Sequence, residues 1–168
     1  MDTRYVNIKE SFGSDGLGVP SVSIYFAYCD KKDITGKFCK GCHNKELQVD
    51  GVGYKLTLNQ IISMVEKKAK YLEKTFKKCR IVFLGGEPTA KINYNFTYEV
   101  AKYFKNKFET VLYTWKNENM LEYEFINAFD LIVCGDYNED LKVENYELAT
   151  SNQYVINNKK IKEITYDN

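Results

Sequence analysis

Apolar and polar residues follow two different periods along the chain. Short apolar runs ended by glycine, cysteine or a charged residue alternate with longer segments whose apolar residues recur every three or four positions. The short runs are typical of buried strands, and the longer segments are typical of amphipathic helices. In chain order the pattern predicts a strand over 4–10, a loop over 11–20, a strand over 21–28, a loop over 48–55, a helix over 58–78, a strand over 79–84, a helix over 94–107, a strand over 110–114, a helix over 119–128, a strand over 130–134, and an apolar segment over 154–156 that is too short to assign.

The first predicted helix carries the clearest local signals. Thr57 is a candidate N-cap, and Gln60 stands three residues later, which is the spacing of a capping box. Apolar residues then follow at steps of three and four, at Ile61, Val65, Ala69, Leu72 and Phe76. We therefore predict a helix with one buried face.

Strands that alternate with amphipathic helices indicate parallel βαβ units, whose crossovers are almost always right-handed. The chain has 168 residues, which suits one domain but is too short for a complete eight-fold barrel of about 250 residues. We expect one α/β domain over residues 1–168, either an incomplete barrel or a doubly wound sheet. In both folds the functional loops lie at the carboxyl ends of the strands.

The composition is that of a soluble globular protein, with 44% hydrophobic and 28% charged residues and a net charge of +1. Such a balance gives no general attraction to nucleic acid or anionic lipid. No apolar run approaches the roughly 18 residues of a membrane span, and the first residues lack an apolar signal core. We therefore expect a cytoplasmic protein without nucleic-acid or membrane partners.

Three of the five cysteines lie in the loop after the second predicted strand, here called the cysteine loop (residues 29–44). They are Cys29, Cys39 and Cys42. In the cytoplasm thiols stay reduced, and an odd cysteine count argues against a disulfide framework. Clustered thiolates are suitable ligands for zinc, copper(I) or an iron–sulfur cluster.

Three kinds of chemistry are possible at these cysteines. A zinc site would need a second cysteine pair, but Cys79 and Cys134 stand alone in predicted strands, where we expect apolar burial. A nucleophilic cysteine with His43 as its base would not need three clustered thiols. A [4Fe-4S] cluster held by three thiolates would leave one iron open to a chelating substrate or cofactor.

The turn at residues 85–88, here called the glycine turn, is a candidate second site. Its two glycines allow a ligand to approach the backbone closely, and Glu87 adds a negative charge. Pro88 ends the strand. The turn, the cysteine loop and the loops after Thr114 and Cys134 follow predicted parallel strands, so we expect all four at one edge of the sheet.

Six segments carry a resemblance to a known family, in the same order along the chain. They are FAYC at 26–29, CKGCHN at 39–44, FLGGEP at 83–88, VLYT at 111–114, DLIVCG at 130–135 and SNQ at 151–153. The cysteine and glycine motifs resemble those of the radical S-adenosylmethionine (SAM) superfamily. The last three segments resemble the activating proteins of anaerobic ribonucleoside-triphosphate reductases. The likeness covers about residues 20–157.

The resemblance implies a fold, two cofactors and a reaction. The fold is an incomplete parallel β/α barrel. Cys29, Cys39 and Cys42 would bind a [4Fe-4S] cluster, and SAM would chelate the fourth iron. Reductive cleavage of SAM would yield a 5′-deoxyadenosyl radical, which takes a hydrogen atom from a glycine of the large subunit of an anaerobic ribonucleotide reductase. The electron would come from an external donor such as flavodoxin or ferredoxin. The implied SAM contacts are Gly41, His43, Gly85, Gly86, Glu87 and Thr114.

The chain departs from the resembled pattern at three places. Nine residues separate Cys29 from Cys39, where the family has three, and Tyr28 and Trp115 stand where it has glycine. The insertion at 30–38 lies where a partner or substrate would dock, which leaves the hydrogen donor open. One alternative is a small-molecule radical SAM enzyme similar to 7-carboxy-7-deazaguanine synthase, although such enzymes typically have Asp-Thr where this chain has His43-Asn44. The other is a non-catalytic metal-binding interaction module.

Overall fold

One mixed β-sheet forms the centre of the structure, a computed structural model that describes residues 2–144 and 148–159. Its strands are β1 (Thr3–Ser11), β2 (Ser21–Phe26), β3 (Tyr54–Thr57), β4 (Arg80–Gly85), β5 (Glu109–Thr114), β6 (Leu131–Cys134) and β7 (Tyr154–Asn157). The sheet is open, with the order β3-β1-β2-β4-β5-β6-β7. The central strands β2, β4, β5 and β6 are parallel, whereas β1, β3 and β7 pair antiparallel with their neighbours.

The helices connect the parallel strands in the predicted alternation. They are α1 (Lys31–Thr35), α2 (Leu58–Phe76), α3 (Lys91–Phe104) and α4 (Tyr123–Ile126). Helix α2 precedes β4, α3 leads from β4 to β5, and α4 leads from β5 to β6. The expected α/β class is confirmed. No described helix is long and apolar enough to cross a membrane.

Helix α2 begins with the predicted capping box. The Gln60 backbone N–H donates to the Thr57 hydroxyl at 3.3 Å, and the Thr57 N–H donates to the Gln60 side chain at 2.9 Å. The predicted inward face is buried at Ile61, Val65, Ala69 and Leu72. The prediction was wrong for Phe76, which is 47% exposed. The helix ends there, and the Phe76 ring packs edge-on against that of Phe12.

Four elements differ from the sequence prediction. Helix α1 lies in the cysteine loop, where no helix was predicted, and α3 begins and ends three residues before the predicted helix over 94–107. Strand β3 falls partly in the predicted loop over 48–55, because the glycines there suggested only a turn. Gly53 instead lets the chain pass close to β1, since a Cβ on it would lie 2.7 Å from the Val6 carbonyl oxygen. The predicted helix over 119–128 is reduced to α4. The Asn117 side chain closes a short 3-10 turn, and Leu121 is extended, so the helix cannot start earlier.

The two faces of the sheet are packed differently. The helices cover one face, where the main hydrophobic core includes Ile81, Phe83, Leu112 and Ile132. Cys79 and Cys134 belong to this core, which agrees with the expected apolar burial. The other face carries a small cluster of Val82, Val111 and Leu131, against which Leu84 and Tyr113 pack. The carboxyl ends of the parallel strands lie at one end of this second face.

The capping box gives a direct stability test. Replacing Thr57 with alanine leaves a helix N–H without its acceptor and should lower the free energy of unfolding by about 1 kcal/mol. Urea denaturation followed by circular dichroism measures it. Thr75→Ala is the matched control, because its exposed hydroxyl only bonds the Tyr71 carbonyl of its own helix. Equal effects of the two substitutions would contradict a specific role of the cap.

Candidate metal centre

A cavity of about 800 Å³ lies at the carboxyl ends of the parallel strands. The sequence predicted that four loops meet here, and residues from all four line the cavity. Besides the three cysteines of the cysteine loop, the lining includes Gly85, Gly86 and Glu87 after β4, Thr114 and Trp115 after β5, and Gly135 after β6. Of the predicted SAM contacts, His43 also lines the cavity, whereas Gly41 is not among its lining residues.

The cysteine loop is fixed to the sheet at its start. The Tyr28 N–H donates to the Leu47 carbonyl at 2.8 Å, and the Cys29 N–H donates to the Gln48 carbonyl at 3.2 Å. Tyr28 has a left-handed backbone, with φ of 78°, at a position where the resembled family has glycine. The chain thus turns sharply just before Cys29, and residues 47 and 48 of the same connection hold it there.

The thiols of Cys29 and Cys39 are partly buried and accept backbone hydrogen bonds. Burial raises the pKa of the Cys29 thiol to about 12 and that of the Cys39 thiol to about 11. The N–H groups of Lys31 and Tyr137 donate to these two sulfurs and partly offset the effect of burial on each pKa. A bound cation favours the thiolate, so metal binding at these cysteines would release protons.

The donor set fits an iron–sulfur cluster. Among the described residues, no three His, Cys, Asp or Glu side chains are grouped to hold a single metal ion. In a cluster each thiolate binds a different iron, so its ligands need not converge on one point. Three half-buried thiols on the wall of one cavity match that requirement, and the other two cysteines are buried in the core.

The glycine turn packs directly against the start of the cysteine loop. A Cβ on Gly85 would lie 2.6 Å from the Phe26 backbone, and one on Gly86 would overlap the Tyr28 carbonyl and lie 2.5 Å from that of Leu47. The Gly86 N–H donates to the Phe26 carbonyl at 2.8 Å. Both glycines are therefore required by chain packing, in addition to any ligand that approaches them.

The carbonyl groups of the glycine turn differ in whether the protein supplies a hydrogen-bond donor to them. Asn44 donates to the Gly85 carbonyl at 3.2 Å, and Asn93 donates to the Glu87 carbonyl at 2.9 Å. Within residues 2–144 and 148–159, no protein donor bonds the Gly86 carbonyl. It is therefore the carbonyl of this turn that is free to accept a hydrogen bond from a ligand.

Glu87 is 1% exposed, and both of its carboxylate oxygens are hydrogen-bonded. One oxygen accepts from the Thr89 N–H at 2.9 Å and the Thr89 hydroxyl at 2.7 Å, and the other accepts from the Trp115 N–H at 3.1 Å. Burial raises the Glu87 pKa, and the bonds from Thr89 and the nearby Lys116 ammonium oppose that rise. The carboxylate joins the ends of β4 and β5, and its predicted contact with SAM stays a prediction.

Sequence reasoning missed a second buried charged group, here called the Asp30 network (Asp30, Thr89, Trp115 and Lys116). One Asp30 oxygen accepts from the Trp115 indole N–H at 2.9 Å, and the other accepts from the Lys116 ammonium at 2.9 Å. Lys116 also donates to the Thr89 carbonyl at 3.1 Å. The only signal in the sequence was that Asp30 and Lys116 stand one and two residues after predicted site residues.

The chain after β6 forms the other wall of the site. The Tyr137 N–H donates to the Cys39 sulfur, and the Tyr137 ring packs on that of His43 with centroids 4.4 Å apart. The Glu139 side chain lies against Gly41, where a Cβ would overlap it. His43 and Gly41 thus have structural contacts here, and their predicted contacts with SAM stay predictions.

The fold is α/β with an open mixed sheet, and three thiols lie on the wall of one cavity. These features indicate a metal-binding protein. Residues 14–157 match the family model of the 4Fe-4S single cluster domain. The match covers most of the chain, which therefore belongs to this family of iron–sulfur proteins. Membership supports a [4Fe-4S] cluster as the cofactor and is consistent with a redox enzyme. No curated protein matches the chain.

The packing of Gly86 can be tested in the metal-free protein. Gly86→Ala would force a methyl group against two backbone carbonyls that cannot move independently, so we expect the free energy of unfolding to fall by about 3 kcal/mol or more. Urea denaturation measures the change.

Gly36→Ala is the control for this substitution. Gly36 follows α1 with φ of 83°, and a Cβ added to it would have no atom within 4 Å, so only backbone strain of about 1 kcal/mol is expected. If Gly86→Ala costs no more than Gly36→Ala, the close packing of the glycine turn is wrong.

Proposed function

We propose that this chain is a radical SAM enzyme that uses a [4Fe-4S] cluster to cleave SAM reductively. The observation that carries the proposal is that three clustered thiols and a glycine turn line the same cavity. The family match independently supports the cluster. The SAM part rests on the resemblance of the cysteine and glycine motifs, on the cavity beside the thiols and on the free Gly86 carbonyl.

In this proposal the residues of the chain hold and orient the two cofactors. Cys29, Cys39 and Cys42 bind three irons of the cluster, and the Gly86 carbonyl accepts a hydrogen bond from the SAM ammonium group. When bound, the cluster and SAM supply the electron and the 5′-deoxyadenosyl radical. The protein supplies position and the exclusion of water.

The proposed fold is the incomplete barrel of radical SAM proteins. Four adjacent parallel strands joined by helices support it, because they are the repeating unit of a β/α barrel. The second face of the sheet, which carries Val82 and Val111, would then be the interior of the barrel. The cavity lies at its carboxyl end, where barrel enzymes bind their ligands.

The proposed hydrogen donor is a glycine in the large subunit of an anaerobic ribonucleotide reductase. The resemblance of the segments at 111–114, 130–135 and 151–153 supports this choice. An external donor such as flavodoxin or ferredoxin would reduce the cluster. A product radical stored on another protein would require that a segment of that protein reaches the cavity.

A small-molecule substrate is the second candidate, and one observation favours it. The cavity continues past the thiols to Asp15, Tyr25 and Tyr113. Ser23 and Tyr25 donate to one Asp15 oxygen, so a carboxylate is fixed at this end of the cavity. A volume of about 800 Å³ lies in the range of small-molecule sites.

Anaerobic reconstitution with iron and sulfide tests the proposed chemistry. The chain should take up one [4Fe-4S] cluster and, once reduced, convert SAM to methionine and 5′-deoxyadenosine. Cys39→Ala should abolish SAM cleavage, because a second open iron would disrupt the site. Iron analysis, absorbance spectra and chromatography of the products measure these outcomes.

Cys79→Ala and Cys134→Ala are matched controls, because both thiols are buried in the core away from the cavity lining. They should keep the cluster and SAM cleavage. Full activity in Cys39→Ala would remove that residue as a ligand. A stable cluster without SAM cleavage would instead favour a non-catalytic iron–sulfur module.

The hydrogen donor can be identified separately. Incubation of the reduced enzyme with SAM and the reductase large subunit should give the electron paramagnetic resonance (EPR) doublet of a glycyl radical. Reductase with its radical glycine replaced by alanine is the control and should give no signal. SAM cleavage without a radical on the intact reductase would favour the small-molecule candidate.

A further inference from the structure

Asp30 does not act as the helix cap that its position suggests. It is the N-cap residue of α1, and aspartate is a favoured N-cap, yet its side chain makes no cap hydrogen bond. Instead, both carboxylate oxygens bind residues that follow β5, at Trp115 and Lys116. The Asp30 side chain therefore attaches the cysteine loop, which follows β2, to the chain after β5, two strands away in the sheet.

Lys116 makes this attachment a buried ion pair. Its ammonium lies 2.9 Å from an Asp30 oxygen, and the two side chains are only 10% and 12% exposed. A buried charge is costly unless it is paired and hydrogen-bonded. The further bond to the Thr89 carbonyl satisfies Lys116 and adds the loop after β4 to the network. Three of the loops around the cavity are thereby joined at one point.

The network fixes the backbone on which Cys29 stands. Asp30 follows Cys29 directly, and the next N–H, that of Lys31, donates to the Cys29 sulfur. On the other side, the Cys29 N–H is bonded to the Gln48 carbonyl. A shift of Asp30 would therefore move the thiol and break the N–H bond that it accepts.

Two departures from the resembled pattern meet in this network. Asp30 is the first residue of the 30–38 insertion, and Trp115 replaces a glycine. The Lys31 ammonium also lies 5.8 Å from the centre of the Trp115 ring. A longer loop between two candidate ligands has more conformational freedom to lose on folding. The network removes that freedom at the Cys29 end.

We propose that Asp30, Trp115 and Lys116 are positioning residues, which hold the Cys29 thiol where the cluster requires it. The inference rests on the proposed function only in that Cys29 is a cluster ligand. It does not depend on SAM cleavage. The Trp115 and Lys116 side chains both bond Asp30, and the three residues act on Cys29 through the backbone of the cysteine loop.

Two variants of the full chain test the proposal after anaerobic reconstitution. Trp115→Phe removes the indole donor but keeps an aromatic ring, and Lys116→Met removes the ammonium but keeps an unbranched side chain. Each should speed the loss of cluster iron to a chelator by about 10-fold or more, the usual effect of removing a residue that supports a metal ligand. The EPR spectrum of the reduced cluster should also change.

Glu109→Gln is the matched control. Glu109 pairs with Arg80 at 3.1 Å with similarly low exposure, but both residues begin their strands and so lie at the opposite edge of the sheet. We expect this variant to lose thermal stability and keep the wild-type rate of iron loss and EPR spectrum. If Trp115→Phe behaves like Glu109→Gln in both measurements, the proposal is overturned, even if Lys116→Met does not fold.

The same experiment separates this inference from the proposed function. A wild-type chain that assembles a cluster but cleaves no SAM would contradict only the proposed function. A Cys29→Ala variant that keeps the full cluster would contradict the ligand assignment, and the inference would fall with it. Faster iron loss in Trp115→Phe than in Glu109→Gln, after equal cluster loading of the two variants, would support the positioning role whether or not the wild-type chain cleaves SAM.

Discussion

The parallel pairing of β2, β4, β5 and β6 is the constraint on which the candidate site depends. In the register of the sheet, Phe26 lies beside Gly85, and Thr114 lies beside Cys134. The loops that follow these four strands therefore start next to one another at one edge. Side chains distant in sequence become neighbours without any loop reaching across the molecule.

The backbone at this edge is closely packed. The glycine turn lies against the Tyr28 and Leu47 carbonyls, and Asn44 links the cysteine loop to Gly85. The thiols of Cys29 and Cys39 are held in surroundings that disfavour their ionised form. Cluster binding would therefore release protons from these thiols.

Local patterns in the sequence were sufficient for much of the fold. The apolar period and the Thr57 cap identified α2, and the short apolar runs identified the parallel strands. Strand β3 was missed because it is a four-residue edge strand, whose pairing with β1 leaves little mark in its own sequence. The length of α4 was overestimated, because a side-chain bond from Asn117 favours a turn over a longer helix.

The candidate site was predictable only where the chemistry is carried by residue type. Cysteines and paired glycines are conspicuous, and the structure brings them to one cavity. Asp30 and Lys116 are ordinary charged residues, and their bond joins positions 86 residues apart. Likewise, nothing near Glu87 in sequence indicates that it accepts from the Trp115 N–H, 28 residues away. Such roles arise from tertiary contacts that periodicity does not encode.

The insertion in the cysteine loop is accommodated by a short helix and by separate hydrogen bonds at its two ends. Helix α1 takes up five of the inserted residues, and a helix advances only about 1.5 Å per residue. The Cys29 end is attached to the chain after β5 through Asp30, whereas Cys39 accepts a hydrogen bond from Tyr137, after β6. The two ends of the inserted segment are therefore attached to the chain after two neighbouring strands of the sheet, β5 and β6.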